Sequence, residues 1–193
     1  MHGFPIHTLD SAPDASKPLL DGLRRNVGMI PNLAAGMAES PPLLDGFLTV
    51  RRVYQEGTFT GAEVQMISLV AALENDCAWC MAFHTLMAET EGVARSHIDA
   101  LRAKREPDDA RFGALTAFAR EMIRRRGAVS AGTLQRFLDA GYSTAQALEV
   151  VLGLAFSLMA NYAGHLVNPP LDAPLVAHAW RPLDDKTPAV VSR

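Results

Sequence analysis

Strong net charge and long uninterrupted apolar runs are both missing from this sequence. Its 18 Lys and Arg side chains nearly balance 21 Asp and Glu, for a formal net charge of -3. Neither nucleic acid nor an anionic membrane is therefore expected as a main partner. The basic cluster 124–126 falls at the end of a predicted helix, where cations stabilise the helix dipole. The most apolar segment, 145–163, is interrupted by Gln146, Glu149 and Asn161, which favours a buried core helix over a membrane span.

A signal peptide and abundant cysteine are missing as well. The N-terminal residues lack the charged start and apolar run of a secretory signal, so we expect a cytoplasmic protein. Cys77 and Cys80 are the only two cysteines. Because a permanent structural disulfide is disfavoured in a reducing compartment, this pair favours redox chemistry or metal binding.

No segment shows the strict apolar–polar alternation that is typical of strands, whereas helical spacing recurs along the chain. With 193 residues, 49% hydrophobic and 20% charged, the chain is long enough for one globular core. We predict an N-terminal arm over residues 1–15 and a single all-α domain over residues 16–193. The predicted helices lie at about 17–26, 41–54, 60–73, 77–91, 94–104, 108–126, 131–140 and 144–166.

Helix-capping residues flank the approach to the cysteines. Thr60 and Glu63 have the spacing of a capping box and predict a helix start, which explains Glu63 without catalysis. Asn75 and Asp76 are residue types that favour the N-cap position. They predict that a second helix starts at Cys77.

A histidine and a glutamate share the helical face of the cysteines. At about 100° per residue, the residues within roughly a 120° arc of a continuous helix are Glu74, Cys77, Cys80 and His84. If the helix restarts near Asp76 instead, Glu74 leaves this arc and the other three residues stay together. A thiol in the first turn of a restarted helix has its thiolate favoured by the helix dipole.

This spacing suits a two-electron thiol cycle. One thiolate attacks a peroxide and becomes a sulfenic acid, and the second thiol condenses with it to form a disulfide and release water. A histidine one turn from Cys80 can take the thiol proton and protonate the departing alkoxide, because its unperturbed pKa is about 6.5. A nearby carboxylate would orient that histidine or relay its proton.

Two other interpretations of the pair remain open. Cys77, Cys80 and His84 would offer a zinc ion three ligands plus water, although structural zinc sites usually have four protein ligands. Alternatively, the thiols and the histidine are buried for packing alone. The combination of CxxC with a helical histidine and an upstream carboxylate favours the redox interpretation.

Two segments resemble a known family. ENDCAWCMAFH, residues 74–84, resembles the ExxCxxCxxxH motif of the carboxymuconolactone decarboxylase and alkylhydroperoxidase D (AhpD-like) superfamily. VGMIPNLAAGMAESPPLLDGF, residues 27–47, is similar to a run in the peroxidase-related members, and the resemblance covers roughly residues 25–170. It implies an AhpD-like all-α fold assembled as a homo-oligomer, often a trimer or hexamer. It also implies peroxide reduction through the CxxC pair.

The resemblance implies site roles position by position. Cys80 resembles the peroxidatic cysteine, Cys77 the resolving cysteine and His84 the relay histidine. The family's relay glutamate lies twelve residues before the first cysteine, and Gln65 occupies that position here. An amide cannot accept and return a proton as a carboxylate does, but it can orient a thiol or water. We therefore expect Glu74, which belongs to the motif, to supply the carboxylate.

The function that follows from the resemblance is a thiol-dependent peroxidase that reduces hydroperoxides in antioxidant defence. No organic cofactor or metal is implied, but an external thiol reductant, such as a lipoyl-bearing or thioredoxin-like protein, must reopen the disulfide. The alternatives are a general disulfide oxidoreductase and a non-catalytic redox sensor or assembly protein. The lactone decarboxylases of the superfamily generally lack the cysteine pair, so their reaction is not expected.

Overall fold

The structure, a computed structural model, describes residues 3–181, and every regular element in that range is helical. This confirms the all-α prediction. Residues 182–193 of the predicted domain and residues 1–2 of the predicted arm lie outside the described residues. The helices are α1 (Lys17–Val27), α2 (Asn32–Met37), α3 (Pro41–Gln55), α4 (Gly61–Glu74), α5 (Ala78–Thr90), α6 (Arg95–Arg102), α7 (Ala110–Arg124), α8 (Ala131–Asp139), α9 (Thr144–Val167) and a 3₁₀ helix (Ala173–His178).

Two short elements lie outside the predicted helices, because six residues are too few to show helical periodicity. The first is α2, which follows Pro31 and buries residues 33–37 against α3 and α9. The second is the 3₁₀ helix, which packs against α5. The 3₁₀ helix thus lies beside the helix that carries Cys80, and α2 lies on α9.

The central helix of the fold is α4, which packs against α5, α7 and α9. It is apolar on all sides, as expected for a helix that is buried all round. The predicted capping box starts it: the Glu63 carboxylate accepts from the Thr60 N–H at 2.9 Å, and the Thr60 hydroxyl accepts from the Glu63 N–H at 3.3 Å. Arg111 donates to the second Glu63 oxygen at 3.0 Å, so both oxygens have structural partners.

The long helix α9 is buried on one face only. Val150 and Phe156 lie on the inner face, which packs against α3 and α4. On the outer face, 73% of Leu148 and 67% of Leu166 are exposed. The helix is long and apolar enough to span a membrane, a property it shares with core helices of soluble proteins. The prediction of a buried core helix is therefore confirmed for the inner face of α9 and wrong for its outer face.

A glycine of α9 accommodates an aromatic side chain of α3. A Cβ atom added to Gly153 would lie 2.5 Å from the ring and hydroxyl of Tyr54, which is 2% exposed. At Gly46, on the α3 side of the same contact, an added Cβ would lie 3.7 Å from the end of Met159, an ordinary contact. The packing therefore requires a glycine at position 153 but not at position 46.

We expect Gly153→Ala to lower the free energy of unfolding by about 1–3 kcal/mol, because the Tyr54 ring must be displaced. Gly46→Ala is the matched control and should raise it by up to about 1 kcal/mol, since alanine favours helix over glycine. Urea unfolding followed by circular dichroism measures both changes. Equal stabilisation by the two substitutions would contradict the close approach.

Candidate active site

The cysteines lie where α4 ends and α5 begins. Asp76 is left-handed, with φ of 50°, and the Cys77 N–H donates to the Ala72 carbonyl at 2.9 Å. This hydrogen bond is typical of a Schellman helix end. Asn75 and Asp76 thus terminate α4, and Cys77 itself is the N-cap of α5. The predicted N-cap role of Asn75 and Asp76 is wrong, because Asp76 lacks the extended backbone that an N-cap adopts.

This junction places the two sulfurs at the N-terminus of α5. Cys77 and Cys80 form a disulfide with a Cα–Cα distance of 5.3 Å. The Cys77 sulfur also accepts a hydrogen bond from the Cys80 N–H at 3.4 Å. Only 3% of Cys77 and 1% of Cys80 is exposed. The positive end of the helix dipole favours a thiolate here once the bond is reduced.

Each cysteine lines a different cavity. Cys80 and His84 line an apolar cavity of about 120 Å³. Cys77 and His165 line a second, more polar cavity of about 250 Å³. Trp79, between the two cysteines in the sequence, lines both. A small molecule in one cavity is therefore beside one cysteine rather than both.

Aromatic rings form one wall of the apolar cavity. Trp79 stacks on Phe83 with ring centroids 5.2 Å apart, and Phe83 meets His84 edge to face at 5.2 Å. The buried carboxylate of Asp172 accepts from the Trp79 indole N–H at 3.1 Å and from the Asn32 backbone N–H at 3.0 Å. Asp172 thus ties the wall to the first residue of α2.

His84 is held by Gln65, whose side-chain oxygen lies 2.8 Å from Nδ1 of the imidazole. Because a carbonyl oxygen only accepts, Nδ1 carries the hydrogen and Nε2 keeps its lone pair. The imidazole is 6% exposed. Burial, reinforced by the positive charge of Arg51, lowers the pKa of His84 to about 3. The ring is therefore neutral at neutral pH.

Glu74 lies apart from this histidine. Its carboxylate pairs with Nε of Arg124 at 2.7 Å and Nε of Arg120 at 3.2 Å, in a separate polar cavity. Since α4 ends at Glu74, this side chain leaves the helical face that continues into α5. The predicted site residues that the structure does bring together are Cys77, Cys80, His84 and Gln65.

Arg51 and Asp172 line or support this site, yet no local pattern in the sequence identifies either. Arg51 is adjacent to Arg52, which pairs with Glu56 at 3.0 Å on the surface of α3. The sequence alone does not distinguish the two arginines. Asp172 is 93 residues from Trp79 along the chain. Both contacts arise from packing between distant segments, which residue spacing does not report.

Solved structures share this fold. A peroxidase-related protein with an AhpD core from Ralstonia eutropha JMP134 superposes with a TM-score of 0.79 at 17% identity, over 91% of this chain and 96% of the other. A peroxidase-related protein from Silicibacter sp. TM1040 gives 0.73 at 19% identity, over 88% and 90%. The debrominase Bmp8, in complex with 2,3,4-tribromopyrrole, gives 0.74 at 16% identity, over 92% and 95%.

The sequence itself matches one family model. Residues 41–121 match the carboxymuconolactone decarboxylase family. The chain has the AhpD-like fold. No curated protein matches it. In this AhpD-like chain the matched span contains both cysteines, His84, Gln65 and Arg51, whereas Asp172 lies outside it.

The buried histidine of this AhpD-like protein should make folding depend on pH. In the folded state the pKa of His84 is about 3, against about 6.5 when unfolded, so protons bind the unfolded chain preferentially between these values. Above about pH 6.5, His84 is neutral in both states, so a further rise in pH should not change its contribution to the free energy of unfolding. As the pH falls from about 6.5 toward 3, protonation of His84 in the unfolded chain should lower the free energy of unfolding by up to about 1.4 kcal/mol per pH unit. Urea unfolding of the oxidised protein across this range measures the slope.

A variant without the titrating ring provides the comparison. His84→Asn should flatten the acid-side slope, whereas His165→Asn, which alters an exposed histidine, should retain it. Equal slopes for the wild type and His84→Asn would contradict a histidine that stays neutral in the folded state.

Proposed function

We propose that this protein is a thiol-dependent peroxidase that reduces small organic hydroperoxides by cycling Cys77 and Cys80 between dithiol and disulfide. One observation carries the proposal: the Cys77–Cys80 disulfide lies at an apolar cavity that Cys80 shares with a neutral His84. Apolar walls suit the organic part of a hydroperoxide. The cysteine and histidine supply a nucleophile and a proton carrier for its O–O bond.

The thiols and the peroxide balance the reaction. The Cys80 thiolate attacks the outer oxygen of ROOH, so that an S–O bond forms and the O–O bond breaks. The alkoxide takes up a proton and leaves as ROH. The Cys77 thiol then attacks the sulfenic sulfur of Cys80, the S–S bond forms, the S–O bond breaks, and water leaves. Two electrons have passed from the two thiols to the peroxide.

His84 is the proposed proton carrier between these steps. The N–H at Nδ1 donates to the side-chain oxygen of Gln65. The free nitrogen, Nε2, is therefore the one that accepts the Cys80 proton and later donates it to the alkoxide. The low pKa of His84 makes its imidazolium a strong proton donor to that leaving group. The neutral ring is a weak base, but the helix dipole already favours ionisation of the thiol. Gln65 has no proton to exchange, and it orients the ring. Glu74 takes no part in this proposal, because two arginines engage its carboxylate.

Burial of the sulfurs favours a slender reductant. Since 3% or less of either cysteine is exposed, a folded protein surface meets neither sulfur without a local opening. This disfavours a general disulfide oxidoreductase, and it favours a lipoyl arm over a thioredoxin-like protein as the reductant. The arm would enter the cavity of about 250 Å³ and attack Cys77. We place this cycle in the cytoplasm, whose reducing poise would regenerate such an arm.

We further propose that the chain forms a homo-oligomer through α9. The outer face of this helix exposes Leu148, Val151, Tyr162 and Leu166 by 73%, 51%, 58% and 67%. These residues recur at helical spacing and form one apolar stripe. A contiguous apolar stripe on the surface is typical of a protein–protein interface. Packing against another copy, in a trimer or hexamer, would cover it.

Reductive dehalogenation is a second candidate for the same site. The debrominase Bmp8 shares the fold, and Trp79 and Phe83 give this chain an aromatic wall. A dithiol can replace an aryl bromine by hydrogen, with oxidation of two thiols to a disulfide and release of bromide and a proton. Bromide release from 2,3,4-tribromopyrrole by the reduced protein, without peroxide, would favour this reaction.

One equivalent of cumene hydroperoxide should consume both thiols of the reduced protein and join Cys77 to Cys80, as measured by alkylation and mass spectrometry. Cys80→Ser should consume no peroxide. Cys77→Ser should consume one equivalent and stop at a sulfenic acid on Cys80, which dimedone labels. Thiols that remain alkylatable in the wild type would refute the peroxidase proposal, and peroxide consumption by Cys80→Ser would overturn the assigned roles.

Gln65→Glu should raise the pKa of His84, because a carboxylate that accepts from Nδ1 stabilises the imidazolium. The acid limb of the pH profile of kcat/KM should move in the same direction. Nuclear magnetic resonance of the imidazole protons measures the titration directly. Gln65→Met offers no acceptor and is the matched control, in which the pKa should stay low. An unshifted titration in Gln65→Glu would contradict the contact between positions 65 and 84.

A further inference from the structure

One charged side chain lies in the wall of the otherwise apolar cavity. Apart from Cys80 and His84, the cavity is lined by apolar and aromatic residues and by Arg51. Arg51 also lines an adjoining groove between α1 and α3. The Arg51 side chain therefore lies between the cavity and this groove. The redox cycle proposed above needs no cation at this position.

Among the described residues, none compensates the charge of this guanidinium. Within residues 3–181, Arg51 makes no hydrogen bond and no ion pair, and burial lowers its pKa from the ordinary value. The neighbouring Arg52 instead pairs with Glu56 at 3.0 Å. A half-buried cation without a counter-charge loses hydration free energy on folding, and a bound anion would offset that loss. Its positive charge reaches into the cavity, because it helps to lower the pKa of His84.

We propose that Arg51 is the anion-binding residue of this cavity and that the substrate is a small organic molecule with a carboxylate group. The planar guanidinium binds a carboxylate through two parallel hydrogen bonds, which orients the ligand as well as holding it. The carboxylate lies at Arg51 and the apolar body lies against Trp79 and Phe83. That this molecule is a hydroperoxide rests on the proposed function, whereas the carboxylate preference does not.

Binding to the oxidised protein tests the preference without any turnover. The probes are 4-isopropylbenzoate and its neutral amide, measured by isothermal titration calorimetry. We expect the wild type to bind the carboxylate about 10- to 100-fold more tightly than the amide, as for a charge-assisted hydrogen bond. Arg51→Met should lose this preference, and Arg51→Lys should restore part of it. Arg52→Met is the matched control and should keep it.

Three results would overturn the proposal: no carboxylate binding to the wild type, equal binding of the two probes, or a preference that survives in Arg51→Met. None of them depends on peroxidase activity, so a failed peroxidase assay is a separate outcome.

If the peroxidase assay succeeds, steady-state kinetics with cumene hydroperoxide and with its para-carboxylate extend the test. Arg51→Met should then lower the kcat/KM ratio of carboxylate to neutral substrate, chiefly through KM. A change in kcat alone, equal for both, would assign Arg51 to thiolate stabilisation and overturn substrate binding.

Discussion

The left-handed turn at Asp76 is the constraint on which the site depends. It ends α4 and starts α5 within a few residues, so that Cys77 is an N-cap and Cys80 lies in the first turn. A continuous helix would leave the sulfurs without the positive end of a dipole. The same turn separates Glu74 from His84, and it leaves Gln65 on α4 as the histidine's partner. One backbone conformation thus places both sulfurs at the helix N-terminus and decides which polar side chain meets His84.

Desolvation determines the electrostatics of the cavity. His84 is neutral because burial and the nearby Arg51 both oppose its charged form. Arg51 cannot be deprotonated in the same way, so it carries the positive charge that the histidine does not. The cavity therefore combines a neutral imidazole with a permanent cation. In the proposed mechanism the imidazole transfers protons, and the guanidinium binds the anionic group of the substrate.

Helix α9 connects the site to the outer surface of the molecule. A Cβ at Gly164 would lie 3.1 Å from the Cys77 sulfur, so α9 passes directly against the disulfide. The inner face packs on the core, and the outer face presents the apolar stripe. An assembly that covers this stripe would also limit how far α9 moves away from the cysteines. In the proposed oligomer, access to the sulfurs would therefore depend on the contacts that this helix makes with the neighbouring copy.

Local chemistry in the sequence determined most of the helices, the capping box at Thr60 and the shared cavity of Cys80 and His84, because those relations extend over only a few residues. Tertiary packing decided the rest. The choice of Gln65 over Glu74 depends on how α4 lies against α5, across 19 residues of chain. The position of Arg51 depends on the packing of α3 against α9, which brings this side chain to the cavity that Cys80 and His84 line. Side chains on different helices meet only where their helices pack, and periodicity within one helix carries no information about that meeting.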